Sequence, residues 1–261
     1  MRHDLTIDDR TLSYLDFGGP GRPLLALHGG LSEGAHFAGL AATLGDDWRV
    51  IAPDQRGHGD SDRADAYDRA GYVADAIALL EHLGLTAAPV AVLGFSLGGL
   101  NAYRLAADRP DLVSALVNVD APVEIPSPLG HGFLGFLPDL PYTAATREEL
   151  VTACGPLGEG VAPFLRPLPD GSGWRLPFHP LDTLTTVEQG YGSHWDTWLA
   201  SDCPALLVHG LRSTALPRAQ ADAMVARRPG TAYVGLDTEH YVPFQDPEGF
   251  TKAVRTFLAG L

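Results

Sequence analysis

Two cysteines in 261 residues cannot build a dense disulfide scaffold, and Cys154 and Cys203 fit no metal-ligand spacing, so both read as reduced, structural thiols. Basic residues are scarce as well. Against 32 Asp and Glu stand 18 Lys and Arg, a formal net charge of -14, which argues against nucleic acid or an anionic membrane as partner because a phosphate surface needs a basic face. No long apolar segment follows Met1-Arg2-His3-Asp4, and no transmembrane run is visible, so the expected compartment is the cytoplasm. Internal repeats are absent too. What remains is an ordinary globular composition, 45% hydrophobic and 19% charged, in a chain long enough for one domain with an insertion.

Along the chain, strand and helix signals alternate. Leu5 to Ile7 and Thr11 to Leu15 flank a short Asp8-Asp9-Arg10 turn and predict an opening antiparallel hairpin. Continuous apolar runs follow at Leu24 to Leu27, Val50 to Ala52, Val90 to Leu93, Leu116 to Val119, Ala205 to Val208 and Tyr233 to Leu236, the pattern of strands buried on both faces of a largely parallel sheet. Helical periodicity marks Tyr72 to Leu83, Leu100 to Ala107 and Phe250 to Leu258.

The richest signal is Gly94-Phe95-Ser96-Leu97-Gly98, which lies between the strand ending at Leu93 and a helix-like stretch running to Asp108. A serine at such a strand-to-helix bend projects its hydroxyl into a cleft, and the small residues two before and two after permit the tight backbone. Upstream, Leu24-Leu25-Ala26-Leu27-His28-Gly29-Gly30 runs from a strand into glycines that allow close backbone approach. Downstream, a short strand ending at Leu236 leads into Asp237-Thr238-Glu239-His240. A histidine there can act as general base toward Ser96, since its ordinary pKa lies near neutrality. His28, His58 and His209 also stand near strand ends, but each precedes a glycine in a segment with another use and reads as structural.

On these motifs the chain resembles the α/β-hydrolase fold family over almost its full length. Asp54-Gln55-Arg56-Gly57-His58-Gly59-Asp60-Ser61 is similar to the family's loop after the fourth strand, and His240-Tyr241-Val242-Pro243-Phe244 to its catalytic-histidine loop. The resemblance implies a mostly parallel, twisted eight-stranded sheet flanked by helices, with Ser96 as nucleophile, His240 as base, and the N–H groups of Gly30 and Leu97 as the oxyanion hole. It assigns Asp54, Arg56 and His58 to bracing their loop, not to chemistry.

One departure stands out. The family usually carries its acid a few residues after the glycine ending the seventh strand, yet Gly210-Leu211-Arg212-Ser213-Thr214-Ala215-Leu216-Pro217 contains no carboxylate. The aligned position holds Thr214, or Ser213 with a one-residue slip. Asp120, at the end of the sixth strand, is the substitute, as in some branches of the family. Glu124 is the next candidate, Glu239 is badly placed beside the histidine, and a Ser96–His240 dyad helped by water is the remaining possibility.

The segment 121–201 breaks the alternation, is rich in proline, glycine and aromatics, and shows no obvious strand. It is expected to form a helical cap over a core made of 1–120 and 202–261. Leu129 to Pro138 is apolar enough to line a pocket. Trp174, Phe178, Tyr191, Trp195 and Trp198 either add to that lining or bury the cap against the core.

With serine in place of the aspartate that dehalogenases and epoxide hydrolases of this fold use, the expected reaction is acyl transfer from an ester, thioester or lactone to water. A small-molecule acyl substrate, no metal, no organic cofactor, and a monomer or homodimer complete the expectation. A non-hydrolytic lyase or cyclase, or a small-molecule binding protein on the same scaffold, is the alternative.

Overall fold

The eight strands of the main sheet are β1 (Arg2–Ile7), β2 (Arg10–Asp16), β3 (Arg22–Leu27), β4 (Trp48–Pro53), β5 (Val90–Phe95), β6 (Val113–Val119), β7 (Ala205–Gly210) and β8 (Thr231–Leu236). They lie in the order β1-β2-β4-β3-β5-β6-β7-β8 in a computed structural model that describes residues 1–126 and 135–261. β1 and β2 pair antiparallel with each other, and β2 pairs antiparallel with β4. All remaining neighbours run parallel. Ile7 pairs with Arg10, so the opening turn is only Asp8-Asp9, one residue shorter than the sequence suggests, and Asp8 takes a positive φ of 53°.

The helices are α1 (Ala38–Leu44), α2 (Arg69–His82), α3 (Leu97–Asp108), α4 (Arg147–Ala153), α5 (Gly158–Val161), α6 (Pro180–Glu188), α7 (Trp195–Leu199), α8 (Arg218–Arg227), α9 (Val242–Gln245) and α10 (Pro247–Ala259). Strand alternation divides the core in two. Leu25, Leu27, Ile51, Val92, Leu116 and Leu207 face α2, α3 and α8, while Leu24, Ala26, Val50, Leu93, Val117 and Val208 face α1 and α10. Both faces of the central strands are therefore covered, which is why these strands read as unbroken apolar runs. No described helix is long and apolar enough to cross a membrane.

Between β6 and β7 the chain forms α4 to α7 and several two-residue pairings. Glu124–Ile125 pairs with Gly192–Ser193, and Trp174–Arg175 lies between Thr143–Ala144 and Arg166–Pro167. Strands were not expected here; pairings of two residues are too short to leave an alternation in sequence. A separate apolar cluster of Leu137, Leu150, Cys154, Val161, Leu176 and Phe178 holds the insertion together. Cys154 and Cys203 are both free thiols, and burial pushes the Cys154 thiol up from its ordinary pKa. Of the apolar stretch Leu129 to Pro138, residues 129–134 lie outside the described residues.

Candidate active site

The bend after β5 is enforced by packing. A Cβ on Gly94 would stand 2.0 Å from the Gly98 carbonyl oxygen, and one on Gly98 would stand 2.0 Å from the Leu27 carbonyl oxygen. Ser96 between them holds φ 52° and ψ -118°, a conformation L-residues rarely adopt. Its N–H donates to Val119 O (3.0 Å) and its carbonyl accepts from Gly99 and Leu100, so strand, turn and the first turn of α3 lock the serine in place.

His240 lies within reach, in the loop between β8 and α9. Its Nε2 is 2.8 Å from Ser96 Oγ and its Nδ1 is 2.7 Å from Asp120 Oδ2. A carboxylate only accepts, so the ring proton sits on Nδ1 and the Nε2 lone pair faces the serine hydroxyl. Phe95 packs beside the imidazole, ring centres 5.3 Å apart.

Asp120 is fully buried and is the second strained residue here, with φ 51° at the end of β6. Its N–H donates to Val208 O. Its carboxylate accepts from Gly210 N–H at 2.8 Å, from Ser213 Oγ at 2.5 Å and from His240. Of the two residues at the position without a carboxylate, Ser213 touches Asp120, whereas Thr214 lines the cavity. Glu124 is exposed and accepts from Trp195 Nε1, and Glu239 is exposed beside Gln245, so neither is bonded to His240.

The three other strand-end histidines are structural ligands of the backbone. His28 Nε2 accepts from Gln55 N–H, His58 Nε2 bonds Gly30 O, and His209 bonds Tyr233 OH and Leu216 O. Burial holds the His28 and His58 pKa values below the ordinary imidazole value. Asp54 accepts from Gly34 and Asp60 N–H, and Arg56 pairs with Asp75, so this loop is braced by its own side chains.

Ser96, Leu97, Gly30 and His240 open onto a cavity of about 670 Å³. Leu97 opens α3, and a first-turn N–H has no partner within its helix. Gly30 stands against it, an ideal Cβ there lying 3.9 Å from Leu97 Cδ2. The remaining walls come from residues that include Leu100, Thr183, Val187, Tyr191 and Phe244, with Arg69, Ser32, His36, Glu124, Glu239 and Gln245 among the polar groups. Of the five aromatics of the insertion singled out in the sequence, only Tyr191 lines this cavity; Trp198 and Phe178 are buried in the two apolar clusters instead. Sequence reading also missed Arg69, which as the first residue of α2 after Asp68 looks like part of a solvated helix end. Among the described residues no group of three or more His, Cys, Asp or Glu could hold a metal ion.

Known proteins place this architecture. A 3-hydroxybutyrate-oligomer hydrolase of Cupriavidus necator is 29% identical over 94% of this chain and 92% of its own. A pimeloyl-[acyl-carrier protein] methyl ester esterase of Neisseria meningitidis is 29% identical over 90% of this chain and 92% of its own. The crystal structure of an E-2-(acetamidomethylene)succinate hydrolase superposes with a TM-score of 0.84 at 24% identity, covering 99% of both chains. The α/β-hydrolase fold profile matches residues 22–247, and the chain belongs to that family.

Proposed function

We propose that the protein is a serine hydrolase that cleaves carboxylic esters, thioesters or lactones through an acyl-enzyme. The chain is a hydrolytic enzyme acting on ester bonds; its family and the names of its relatives, an esterase and an oligomer hydrolase, support that class. The observation that carries the mechanism is the unbroken hydrogen-bond path from Ser96 Oγ through His240 to Asp120. Ser96 attacks the carbonyl carbon while His240 Nε2 takes its proton. The Asp120 carboxylate stabilises the imidazolium that results, which then protonates the leaving oxygen or sulfur. Water, deprotonated by His240, attacks the acyl-serine and releases the acid. The oxyanion of each tetrahedral intermediate is held by the Gly30 and Leu97 N–H groups. The insertion covering Ser96 serves as the cap that shapes a small-molecule acyl site.

Labelling by a serine-directed fluorophosphonate, read by intact mass, tests this reading without a guess at the substrate. Stoichiometric labelling should vanish in Ser96→Ala and slow markedly in His240→Ala. An unlabelled, folded wild type that also excludes no small probe from its cavity contradicts it.

A further inference from the structure

Arg69 is a buried cation without a counter-ion. Only 8% of it is exposed, and it forms no ion pair among the described residues, while 127–134 contains no Asp or Glu that could supply one. Its Nη1 donates to Asn101 Oδ1 at 3.0 Å and its Nη2 to the Thr186 carbonyl at 2.7 Å, both neutral acceptors. Its Nε is buried with no hydrogen-bond partner among the described residues, and its guanidinium carbon lies 5.3 Å from the centre of the Tyr72 ring. A guanidinium has five N–H donors, and burying its charge unpaired is costly. Burial accordingly pulls its pKa below the ordinary arginine value. Arg228 is also buried without a carboxylate partner among the described residues, but it follows α8 and donates to the Ser201 and Cys203 carbonyls, away from the cavity.

Arg69 differs in where it stands. It is the only Arg or Lys among the described residues lining the Ser96 cavity. Gly190 lines the same wall, and the place its Cβ would take lies 3.6 Å from Arg69 Nη2, so the missing side chain leaves room beside the guanidinium. Asn101, which Arg69 touches, is five residues beyond Ser96 along α3, or about 7 Å along the helix axis.

Resting on the hydrolase reading above, we infer that Arg69 binds a carboxylate on the acyl part of the substrate, so that the preferred substrates are esters of acyl chains ending in a second, free carboxylate. A guanidinium matches a carboxylate with paired, charge-assisted hydrogen bonds, and the bound anion would supply the missing counter-charge. With that helix spacing as a guide, chains of about three to five methylenes between ester carbonyl and free carboxylate are the lengths to test first.

The test compares kcat/KM for p-nitrophenyl half-esters of linear dicarboxylic acids, succinate to suberate, with esters of the same chains ending in a carboxamide. At the best length the wild type should favour the carboxylate by about 10- to 100-fold. That ratio should fall to near one in Arg69→Met and be partly kept in Arg69→Lys. A wild-type ratio near or below one overturns the inference, whatever the variants do. Calorimetric binding of the free dicarboxylic acids and their mono-amides to Ser96→Ala separates this inference from the catalytic one. Carboxylate-selective binding without wild-type turnover or fluorophosphonate labelling supports Arg69 and sinks the serine mechanism. Labelling with no carboxylate selectivity sinks only the role of Arg69.

Discussion

Ser213 Oγ donates to Asp120 Oδ2 at 2.5 Å, joining the loop after β7 to the end of β6. Within the stretch after β7 that carries no carboxylate, a hydroxyl thus holds the Asp120 carboxylate. With the Gly210 N–H on the other oxygen, Asp120 is gripped from β7 while it accepts from His240 Nδ1.

Removing that grip should reduce turnover without abolishing it. In Ser213→Ala the Gly210 and His240 hydrogen bonds remain, so kcat is expected to fall about tenfold, the worth of one hydrogen bond to a charged group, with KM little changed. Steady-state kinetics on a simple p-nitrophenyl ester checks this; a change confined to KM would place Ser213 in binding instead.

Stability should depend on pH through histidines held neutral by their surroundings. Burial pulls the His36 pKa down from 6.5 to about 4, between the rings of Phe164 and Phe244. His28 and His58 are shifted the same way. Because the unfolded chain takes up these protons first as pH falls, the associated stability is complete above the unfolded value and is lost progressively toward pH 4. His36 alone accounts for about 3 kcal/mol of that loss. Urea unfolding from pH 7.5 to 4.5 should show the decline, with a shallower slope in His36→Gln.

The insertion is tied to the core by charge. Arg166 pairs with Glu33, which is 3% exposed, and its Nε lies 2.7 Å from Asp60. Burial pushes the Glu33 carboxyl up, and Arg166 opposes that shift. In Arg166→Ala a buried carboxylate loses its partner, with an expected cost of about 3 kcal/mol at pH 7. Since a raised carboxyl pKa costs stability only where the group must ionise, the deficit should shrink as pH falls and Glu33 protonates. Chemical denaturation at pH 7 and pH 5 measures both effects.

How much of this was readable depends on the kind of signal each part leaves. The buried strands announce themselves because both faces are covered, and Gly94 and Gly98 are legible because any larger residue would strike the backbone of the bend. Asp120 could be found only by noticing an absence between Leu211 and Pro217, combined with an acid at the end of β6. Ser213 could be named there but its hold on Asp120 could not be foreseen, since one hydroxyl in a loop has no distinctive spacing and the contact spans 93 positions. Arg69 was hidden for a related reason: nothing in sequence tells a helix-end arginine that faces water from one that a distant helix, here α6 through Thr186, has covered. The insertion's helices are similarly illegible, several being too short to establish a period.

The assignment of Asp120 as the acid rests most directly on kcat of Asp120→Asn beside Glu124→Gln. An asparagine in that position cannot stabilise the imidazolium and favours the wrong imidazole tautomer, an effect of about four orders of magnitude in the worked serine-protease case. The expected result is a fall of about 10³ to 10⁴ in kcat for Asp120→Asn, with Glu124→Gln retaining the wild-type value. Full kcat and an unchanged pH profile in Asp120→Asn would contradict the assignment.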